Sequence, residues 1–243
     1  MADELCSFLD WDSKHFFYRI GKINKQKLKK DDFIKIENWT KDNKIECIYY
    51  LKENNDDRSN LELSYGYRHV DTRANLSLNI TKLKPFNIMS RNFKVEILKS
   101  FSDDIYNILD NSISNTRFYN DKNFKREHVR QLYQRWIRAS YDSKSSKVMI
   151  AKKNSKIIGF ISSKSINNSE ASIELAAVDI KYNHQGVGSN ILSRCINFWK
   201  LKGKKNLFVS TQHENKPAIS FYQKFGFKVL SIRKWYHKWN FEK

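Results

Sequence analysis

The sequence predicts a mixed α/β (α+β) fold built on a mixed sheet, and three observations predict it. Of the 243 residues, 40% are hydrophobic and 14% aromatic, which is enough for a sizeable core. Segments with strand alternation and segments with helical periodicity follow one another, with hairpins among them and no strict βαβ repeat. One strand runs into a glycine turn that opens a helix.

The first third of the chain has the weaker patterns. We predict a short helix over residues 31–39, a polar loop over 52–60, and strands over 61–67 and 75–80. Pro85 stands in a break before residues 86–92. No internal repeat is apparent, and we place a domain boundary at this break, which divides the chain into residues 1–88 and 89–243.

The second part has clearer periodicity. A helix over about 102–113 has a capping serine and acidic first turn, and residues 127–141 carry an apolar stripe at helical spacing. Gly203 ends a helix that begins near Val187. The complete predicted order is strand 93–98, helix 102–113, helix 127–141, hairpin 147–151 and 157–162, strand 171–178, helix 187–201, strand 207–211, helix 216–225 and closing strands 227–239.

The net charge is strongly positive, with 45 Lys and Arg against 26 Asp and Glu, or +19. Such an excess is typical of proteins that bind nucleic acid or membrane surfaces, but it also describes a solvated lysine-rich surface. The lysines are scattered, with dense clusters only at 22–30 and 200–205. Nucleic acid is therefore not the expected partner, although the charge should attract anionic small molecules.

Cysteine spacing and the N-terminus limit the location. Cys6, Cys47 and Cys195 form no CxxC pair, and an odd number is a poor disulfide framework. We expect no metal site. The acidic N-terminus lacks the apolar region of a signal peptide, and no run of about 18 apolar residues is present. The expected location is the cytoplasm, with no membrane partner.

The glycine turn predicts an anion site. Closely spaced glycines let the backbone turn tightly, and the N–H groups at the start of the helix then point at phosphate oxygens. A short GxG motif also occurs in turns that bind nothing. The segment consists of Asn183, His184, Gln185, Gly186, Val187, Gly188 and Ser189.

A second strand-to-helix junction strengthens this interpretation. Asn215 suits an N-cap, and Pro217 is tolerated in a first helical turn. Tyr222 lies two turns beyond Asn215 on the same face, so one ligand can touch both. The alternative is a capped helix with a core tyrosine.

Together, these two segments resemble the GNAT superfamily of acyl-CoA N-acyltransferases. Its motif, Gln/Arg-x-x-Gly-x-Gly/Ala, aligns with residues 183–188, although Asn183 departs from the usual Gln or Arg. The resemblance implies acetyl-CoA as acetyl donor, with its pyrophosphate on the amides of the turn. It also implies that backbone groups of Ala176, Ala177 and Val178 meet the acetyl and pantetheine arm. Asn215 would hold the CoA arm and Tyr222 would be the general acid.

Shorter segments resemble the TDP-fucosamine N-acetyltransferases, which acetylate a 4-amino group on a nucleotide-linked deoxysugar. A glycine common after the Phe16-Phe17 pair is replaced by Tyr18. The matching segments are residues 9–13, 16–17, 70–73, 116–119, 133–137, 211–212 and 235–239. The resemblance implies a GNAT fold with a smaller α/β N-terminal domain on the acceptor side.

Candidate residues for the acceptor side follow from this resemblance. Arg117, whose fork suits a diphosphate, Tyr119 and Gln212 are the substrate candidates, against the alternative that Arg117 is a surface arginine. Glu174 is a candidate general base, and it can equally be an ordinary strand carboxylate. The candidates ranked below it are His128, His184 and His213.

Three functions stay open on the sequence. The first is acetyl transfer to a nucleotide-linked aminosugar, and the second is the same reaction on another amine, such as a protein N-terminus, an antibiotic or another small molecule. The third is a non-catalytic basic binding module on the same fold. The assembly state, including a homodimer, is also open.

Overall fold

The computed structural model describes residues 5–53, 61–86 and 92–240. Ten strands lie within these ranges. They are β1 (Cys6–Phe8), β2 (Ile20–Ile23), β3 (Cys47–Glu53), β4 (Arg68–Asn79), β5 (Lys94–Ile97), β6 (Ser146–Lys153), β7 (Lys156–Ser165), β8 (Glu170–Val178), β9 (Asn206–Gln212) and β10 (Lys228–Trp239). All of them join one sheet in the order β1-β2-β3-β10-β4-β9-β8-β7-β6-β5. The pairs β2/β3 and β8/β9 are parallel.

Helices cover both faces of this sheet. They are α1 (Asp10–Phe16), α2 (Lys30–Asp42), α3 (Leu61–Ser64), α4 (Asp104–Ser112), α5 (Arg117–Asn120), α6 (Arg126–Asp142), α7 (Val187–Leu201) and α8 (Lys216–Lys224), with a 3₁₀ turn at Ile180–Tyr182. The prediction of a mixed α/β fold on a mixed sheet is confirmed.

The apolar residues form one cluster on one face and two on the other. On the front face, helices α4 and α6 pack on inward residues of β8 such as Leu175 and Ala177. On the back face, α7 and α8 pack on β4 residues such as Leu76, and α2 packs on β3 residues such as Ile48. Alternation along the strands therefore decides which side chains reach which face.

The connectivity of the two parts of the chain is the same. Apart from α1, which lies between β1 and β2, the first part has the order β1, β2, α2, β3, α3 and β4. This order has the same pairing pattern as β7, β8, α7, β9, α8 and β10. β4, the last strand of the first set, lies between β9 and β10 of the second set. β10, the last strand of the second set, lies between β3 and β4 of the first set. The repeat is one of topology, which explains why no repeat is apparent in the sequence.

One predicted strand, residues 61–67, is wrong. Leu61–Ser64 form α3, and Gly66 leaves the helix with φ +80°. The Tyr65 ring stacks on Phe33 of α2 at a centroid distance of 4.4 Å, and Glu62 forms a buried ion pair with Lys52 at 2.7 Å. A short alternating segment also fits one helical turn, and these tertiary contacts select the helix.

The N-terminal strands were the least predictable elements. β1, β2, β3 and helix α1 have no predicted counterpart, and the strand predicted over 75–80 begins earlier, at Arg68. The first half of β4 is polar, but it lies between β9 and β10, where its backbone groups are paired on both sides. Helix α5 likewise has no predicted counterpart. Of the loop predicted over 52–60, residues 52 and 53 end β3 and the rest lies outside the described residues. The remaining helices and strands lie where the patterns predict them, within a few residues.

The predicted domain boundary at residue 88 lies outside the described residues. Strands from both sides of it interleave in the sheet, since β4 belongs to the first segment and its neighbours β9 and β10 to the second. The division into 1–88 and 89–243 stays a prediction, and the sheet connects the two segments.

The interleaving predicts that the second segment does not fold alone. A fragment of residues 92–243 lacks β4 and leaves unpaired edges on β9 and β10, which favour aggregation. We expect circular dichroism of the isolated fragment to show no cooperative unfolding, and co-expression with residues 1–86 to restore it. A cooperatively folded, monomeric fragment 92–243 would contradict this expectation.

Candidate active site

A gap opens between the parallel strands β8 and β9. They pair from Glu170 with Asn206 to Ile173 with Val209, and no further. Beyond this point β8 stays paired with β7 up to Val178, while β9 stays paired with β4 up to Gln212. The unpaired edges of the two strands therefore form the walls of a slot that widens toward their carboxyl ends.

The slot ends at the N-terminus of α7. Gly186 caps this helix with φ +79°, and His184 before it has φ +60°. The left-handed conformation suits glycine, since any Cβ costs about 1–2 kcal/mol there. The first-turn N–H groups of α7 have no acceptor within the helix, and the helix dipole adds positive potential, so this end favours an anion.

Close packing holds α7 against the sheet. A Cβ placed on Gly159 of β7 would lie 3.1 Å from Val187 Cγ1 and 3.2 Å from the Ala177 carbonyl oxygen. Glycine at position 159 thus lets the start of α7 approach the carboxyl end of β8. A larger side chain at position 159 would push Val187, the first residue of α7, away from the sheet.

Helix α8 forms the opposite wall. The Asn215 side chain accepts a hydrogen bond from the Ala218 N–H at 3.2 Å, and Pro217 lies in the first turn, so the predicted cap is confirmed. Tyr222 follows two turns later and is buried. Its ring contacts Phe221 and Phe227, with centroid distances of 5.2 and 5.3 Å.

These elements enclose a groove of about 790 Å³. Most of the residues predicted for acetyl-CoA line it together: Ala176, Ala177, Val178, His184, Gly186, Val187, Gly188, Ser189, Asn215 and Tyr222. Gln185 is the exception, because its side chain donates to the Lys181 carbonyl at 3.0 Å and lies outside the lining. The volume lies in the range of small-molecule and cofactor sites.

The groove also has lining residues that the sequence analysis missed. Ser112 comes from the end of α4 and donates to the Val178 carbonyl at 3.4 Å, and Tyr182 comes from the 3₁₀ turn. Phe221 and Lys224 come from α8. Phe221 precedes Tyr222 in the motif and was recognisable, whereas Ser112 carries no local signal.

Tyr222 keeps its proton at neutral pH. Burial raises the pKa of the phenol well above its usual value near 10, with a smaller contribution from Cys195. The hydroxyl is therefore a hydrogen-bond donor in the groove. Because an ordinary thiol has a pKa of about 8.5, complete transfer of this proton to a thiolate is uphill, and donation of a hydrogen bond is the favourable interaction.

Glu174 lies at a β-bulge in β8, where the pairing with β7 shifts register. Its side chain is only 8% exposed and turns to the front face. One carboxylate oxygen lies 2.7 Å from Lys164 Nζ, and the other accepts a hydrogen bond from Ser140 Oγ of α6 at 3.1 Å. Both oxygens are thus engaged.

Arg117 lies at the junction between the two halves. Its guanidinium faces the rings of Tyr49, Phe118 and Trp235 at 4.1–4.3 Å. One nitrogen donates to His237 Nε2 at 3.3 Å, and another lies 4.0 Å from Asp12. These contacts leave the side chain 17% exposed, so Arg117 connects α5 with strands β3 and β10.

His237 and Asp121 form a hydrogen-bonded chain that ends at Arg117. His237 Nδ1 lies 2.7 Å from Asp121 Oδ2, and Trp239 Nε1 donates to the same oxygen at 2.8 Å. Burial lowers the pKa of His237 to about 4, so its ring is neutral. The neutral ring donates through Nδ1 and accepts from Arg117 through Nε2.

The other predicted substrate residues lie nearby. Gln212 is the last residue of β9, and Tyr119 of α5 stacks on Tyr133 at 6.4 Å. Asp71 of β4 interacts with both Gln212 and Arg117. Burial raises the pKa of Asp71 to about 6, although hydrogen bonds from backbone N–H groups and from Gln212 act to lower it.

The corresponding place in the N-terminal half is closed. All four residues of β2 pair with β3, so no slot opens there. Asp32 sits at the N-terminus of α2 and accepts hydrogen bonds from the Lys29 N–H at 2.8 Å and Lys25 Nζ at 2.6 Å. A Cβ on Gly21 would lie 2.9 Å from the Trp39 ring. The described groove therefore belongs to the C-terminal half.

Two further properties bear on ligands and location. Within residues 5–53, 61–86 and 92–240, no group of three or more His, Cys, Asp and Glu residues is arranged to hold a metal ion. Among the same residues, the helices lack the length and apolar character that crossing a bilayer requires.

Comparison with known proteins agrees with this geometry. Over 128 residues the chain is 23% identical to the spore coat polysaccharide biosynthesis protein SpsD of Bacillus subtilis (strain 168), a match that covers 53% of this chain and 44% of SpsD. Over 58 residues it is 36% identical to N-alpha-acetyltransferase 50 of Danio rerio, covering 24% of this chain and 34% of that protein. The chain thus spans less than half the length of each of these relatives.

A solved structure shares the whole fold. A functionally unknown conserved protein from Staphylococcus epidermidis ATCC 12228 superposes with a TM-score of 0.68 at 14% identity, covering 94% of this chain and 88% of that one. The model of the acetyltransferase (GNAT) family matches residues 105–227, just over half of the chain, and includes the groove, its glycine turn and α8. The chain therefore belongs to the GNAT family of acetyltransferases.

Proposed function

We propose that this protein transfers an acetyl group from acetyl-CoA to a primary amine, and that the amine belongs to a nucleotide-linked amino-deoxysugar. The observation that carries the transfer reaction is the slot between β8 and β9, which joins exposed strand edges to the anion-favouring start of α7. A long ligand with a pyrophosphate at one end and an amide-bearing arm at the other suits this shape and polarity.

The groove residues divide into two roles in this proposal. The first-turn amides of α7, from Val187 to Ser189, receive the pyrophosphate. The exposed backbone of β8 at Ala176, Ala177 and Val178 pairs with the amides of the pantetheine arm, as a neighbouring strand would. Asn215 and Tyr222 contact the same arm from α8.

The reaction needs positioning and one well-placed donor. The neutral amine attacks the thioester carbonyl, the carbon–sulfur bond breaks, and the amine loses one proton. The two strand walls hold the reacting atoms together, which supplies much of the rate. Backbone N–H groups near Ala177 and Val178 polarise the carbonyl oxygen. Tyr222 donates a hydrogen bond to the departing sulfur and stabilises its negative charge.

Two carboxyl groups are candidates to receive the proton of the ammonium. Glu174 is adjacent to the slot, but it must first release Lys164 or Ser140. Asp71 lies beside Gln212, and its raised pKa suits a proton acceptor near neutral pH. Glu174 and Asp71 are therefore the two candidate bases.

The aminosugar acceptor has two independent supports. Segments that resemble the TDP-fucosamine N-acetyltransferases include residues 70–73 and 116–119, which bring Asp71 and Arg117 close to Gln212. The similarity to a polysaccharide biosynthesis protein points in the same direction. The similarity to an N-alpha-acetyltransferase favours a second candidate, acetylation of a protein N-terminus.

A panel of acceptors distinguishes these functions. We expect acetyl-CoA turnover with TDP- or UDP-linked aminosugars, and little turnover with peptide N-termini or polyamines. Turnover is measured as release of the CoA thiol. Turnover with peptides alone would favour the second candidate. Absence of turnover with every amine, together with salt-sensitive nucleic-acid binding, would favour a basic binding module.

Gly186 tests the donor site. Gly186→Val places a branched side chain where a phosphate must approach, and its backbone is left-handed at φ +79°. We expect the CoA affinity, measured by calorimetry, to fall at least about tenfold. Loss of one charge-assisted hydrogen bond has an effect of this order.

The matched control for this substitution is Gly203→Val. Gly203 has a similar φ of +75° at the far end of α7, and no atom lies within 4 Å of the point that a Cβ would occupy there. Both variants lose similar stability, about 1–2 kcal/mol from the left-handed backbone. Equal CoA affinity in the two variants would refute the assignment of the phosphate site.

Tyr222 tests the chemistry. Tyr222→Phe removes the hydroxyl and keeps the buried ring, so CoA affinity should change little. We expect the single-turnover rate to fall by roughly 10²–10³-fold, the usual cost of removing one preorganised donor to a developing negative charge. Tyr182→Phe removes a hydroxyl from the same groove and serves as the control. A single-turnover rate within about threefold of the wild type would exclude Tyr222 from the reaction.

A further inference from the structure

Two arginines lie opposite each other at the centre of the sheet. Arg73 of β4 and Arg233 of β10 are direct partners in the antiparallel pairing. The residue after Arg73, Ala74, packs into the back-face core, and Trp235, two residues after Arg233, packs into the front-face core. Alternation therefore directs both arginines to the front face.

Like charges directly opposite each other destabilise a sheet unless a counter-charge separates them. The pair Lys52 and Lys234, one position away on β3 and β10, has such a counter-charge, since Glu62 lies 2.7 Å from Lys52. Glu53 lies opposite Arg233 on β3, and Asp71 precedes Arg73 by two residues. Even so, the ion pairs among the described residues include neither arginine.

The two guanidinium groups differ in their hydrogen bonding. Arg73 is held in place, because its Nε donates to Asn75 Oδ1 at 2.8 Å and one Nη donates to Ser210 Oγ at 2.7 Å. Arg233 has a buried Nε without a hydrogen-bond partner in the described part of the chain. Burial lowers the pKa of Arg73, and the charges of Arg117 and Arg233 lower it further, which marks the region as electropositive.

The arginines lie on the acceptor side of the slot. Arg73 is the partner of Gln212, the last residue of β9, where the slot is open. Ser210 next to it is exposed, so the front face is accessible there. The start of α7 lies instead on the back face, where Val187 and Ile191 are packed. A ligand on the arginines is thus separated by the sheet from the amides proposed for the CoA pyrophosphate.

We propose that Arg73 and Arg233 form an anion site for the phosphate groups of the acceptor, so that the acceptor is a nucleoside diphosphate derivative. The inference rests on the proposed acetyl transfer and assigns the residues that bind the diphosphate of its acceptor. Guanidinium forks bind phosphate oxygens in pairs, and an anion between the two arginines removes their mutual repulsion. Arg117 contacts three aromatic rings and His237. Its guanidinium is therefore already engaged, and the phosphate contacts come from Arg73 and Arg233.

The test is a calorimetric titration of TDP into protein saturated with CoA, so that the donor site is occupied. We expect one TDP to bind, and Arg73→Gln or Arg233→Gln to weaken it by at least about tenfold. Lys228→Gln removes a positive charge from an exposed position on β10 and should leave TDP affinity unchanged. CoA affinity should be unchanged in all three variants.

Thermal unfolding separates this role from a structural one. Removing one of two repelling charges should leave the unliganded Arg233→Gln protein as stable as the wild type or more stable, while its stabilisation by TDP is lost. A large loss of stability without TDP, or equal TDP affinity in Arg233→Gln and Lys228→Gln, overturns the site. Reduced CoA affinity in the arginine variants would also overturn it, by placing the pair in the donor site.

The outcome for the proposed function is measured separately, as turnover. If TDP binds through the arginines but no nucleotide sugar is acetylated, the anion site stands and the assignment of the acceptor as a nucleoside diphosphate derivative is wrong. If a nucleotide-linked aminosugar is acetylated with the same KM by wild type and both arginine variants, the function stands and the anion site is wrong.

Discussion

Strands β8 and β9 diverge beyond the pair Ile173 and Val209, while the last residues of β9 stay hydrogen-bonded to β4. β8 is likewise held by β7 up to Val178. Each strand thus satisfies its backbone on its outer edge, and the inner edges diverge and stay available. The groove, the proposed pairing with a pantetheine arm and the approach to the α7 amides all depend on this divergence. Since β4 comes from the N-terminal segment, that segment pairs with one of the two strands that border the groove.

The exchange of β4 and β10 between the two halves also brings polar residues together on the front face. Arg73, Asp71 and Gln212 meet there because β4 lies beside β9, and Arg233 joins them because β10 lies beside β4. Arg117 then ties α5 to rings from β3 and β10. Residues far apart in the chain are therefore neighbours in one polar region next to the slot. This arrangement explains why acceptor recognition, in our proposal, involves both halves.

The two halves share a topology but differ in the one feature that makes a groove. β2 is paired with β3 along its whole length, and Asp32 occupies the helix start with its own carboxylate. In the C-terminal half the equivalent helix start has Gly186, which offers no side chain to cap the first-turn amides. An internal carboxylate satisfies the dipole of α2 and excludes an external anion. The N-terminal half therefore contributes strands and side chains to one site.

The sequence by itself determined the mixed α/β class, most elements of the second half and the motif residues that line the groove, because these depend on local periodicity, caps and glycine spacing. Ten of the eleven residues predicted for the cofactor line the groove, and the eleventh, Gln185, turns away to bond the backbone. Only the tertiary structure decided the N-terminal strands, the engagement of Glu174 and Arg117, and the opposition of Arg73 and Arg233. Those features depend on pairing between strands that are distant in the chain, and the register of such pairing leaves no local pattern in the sequence.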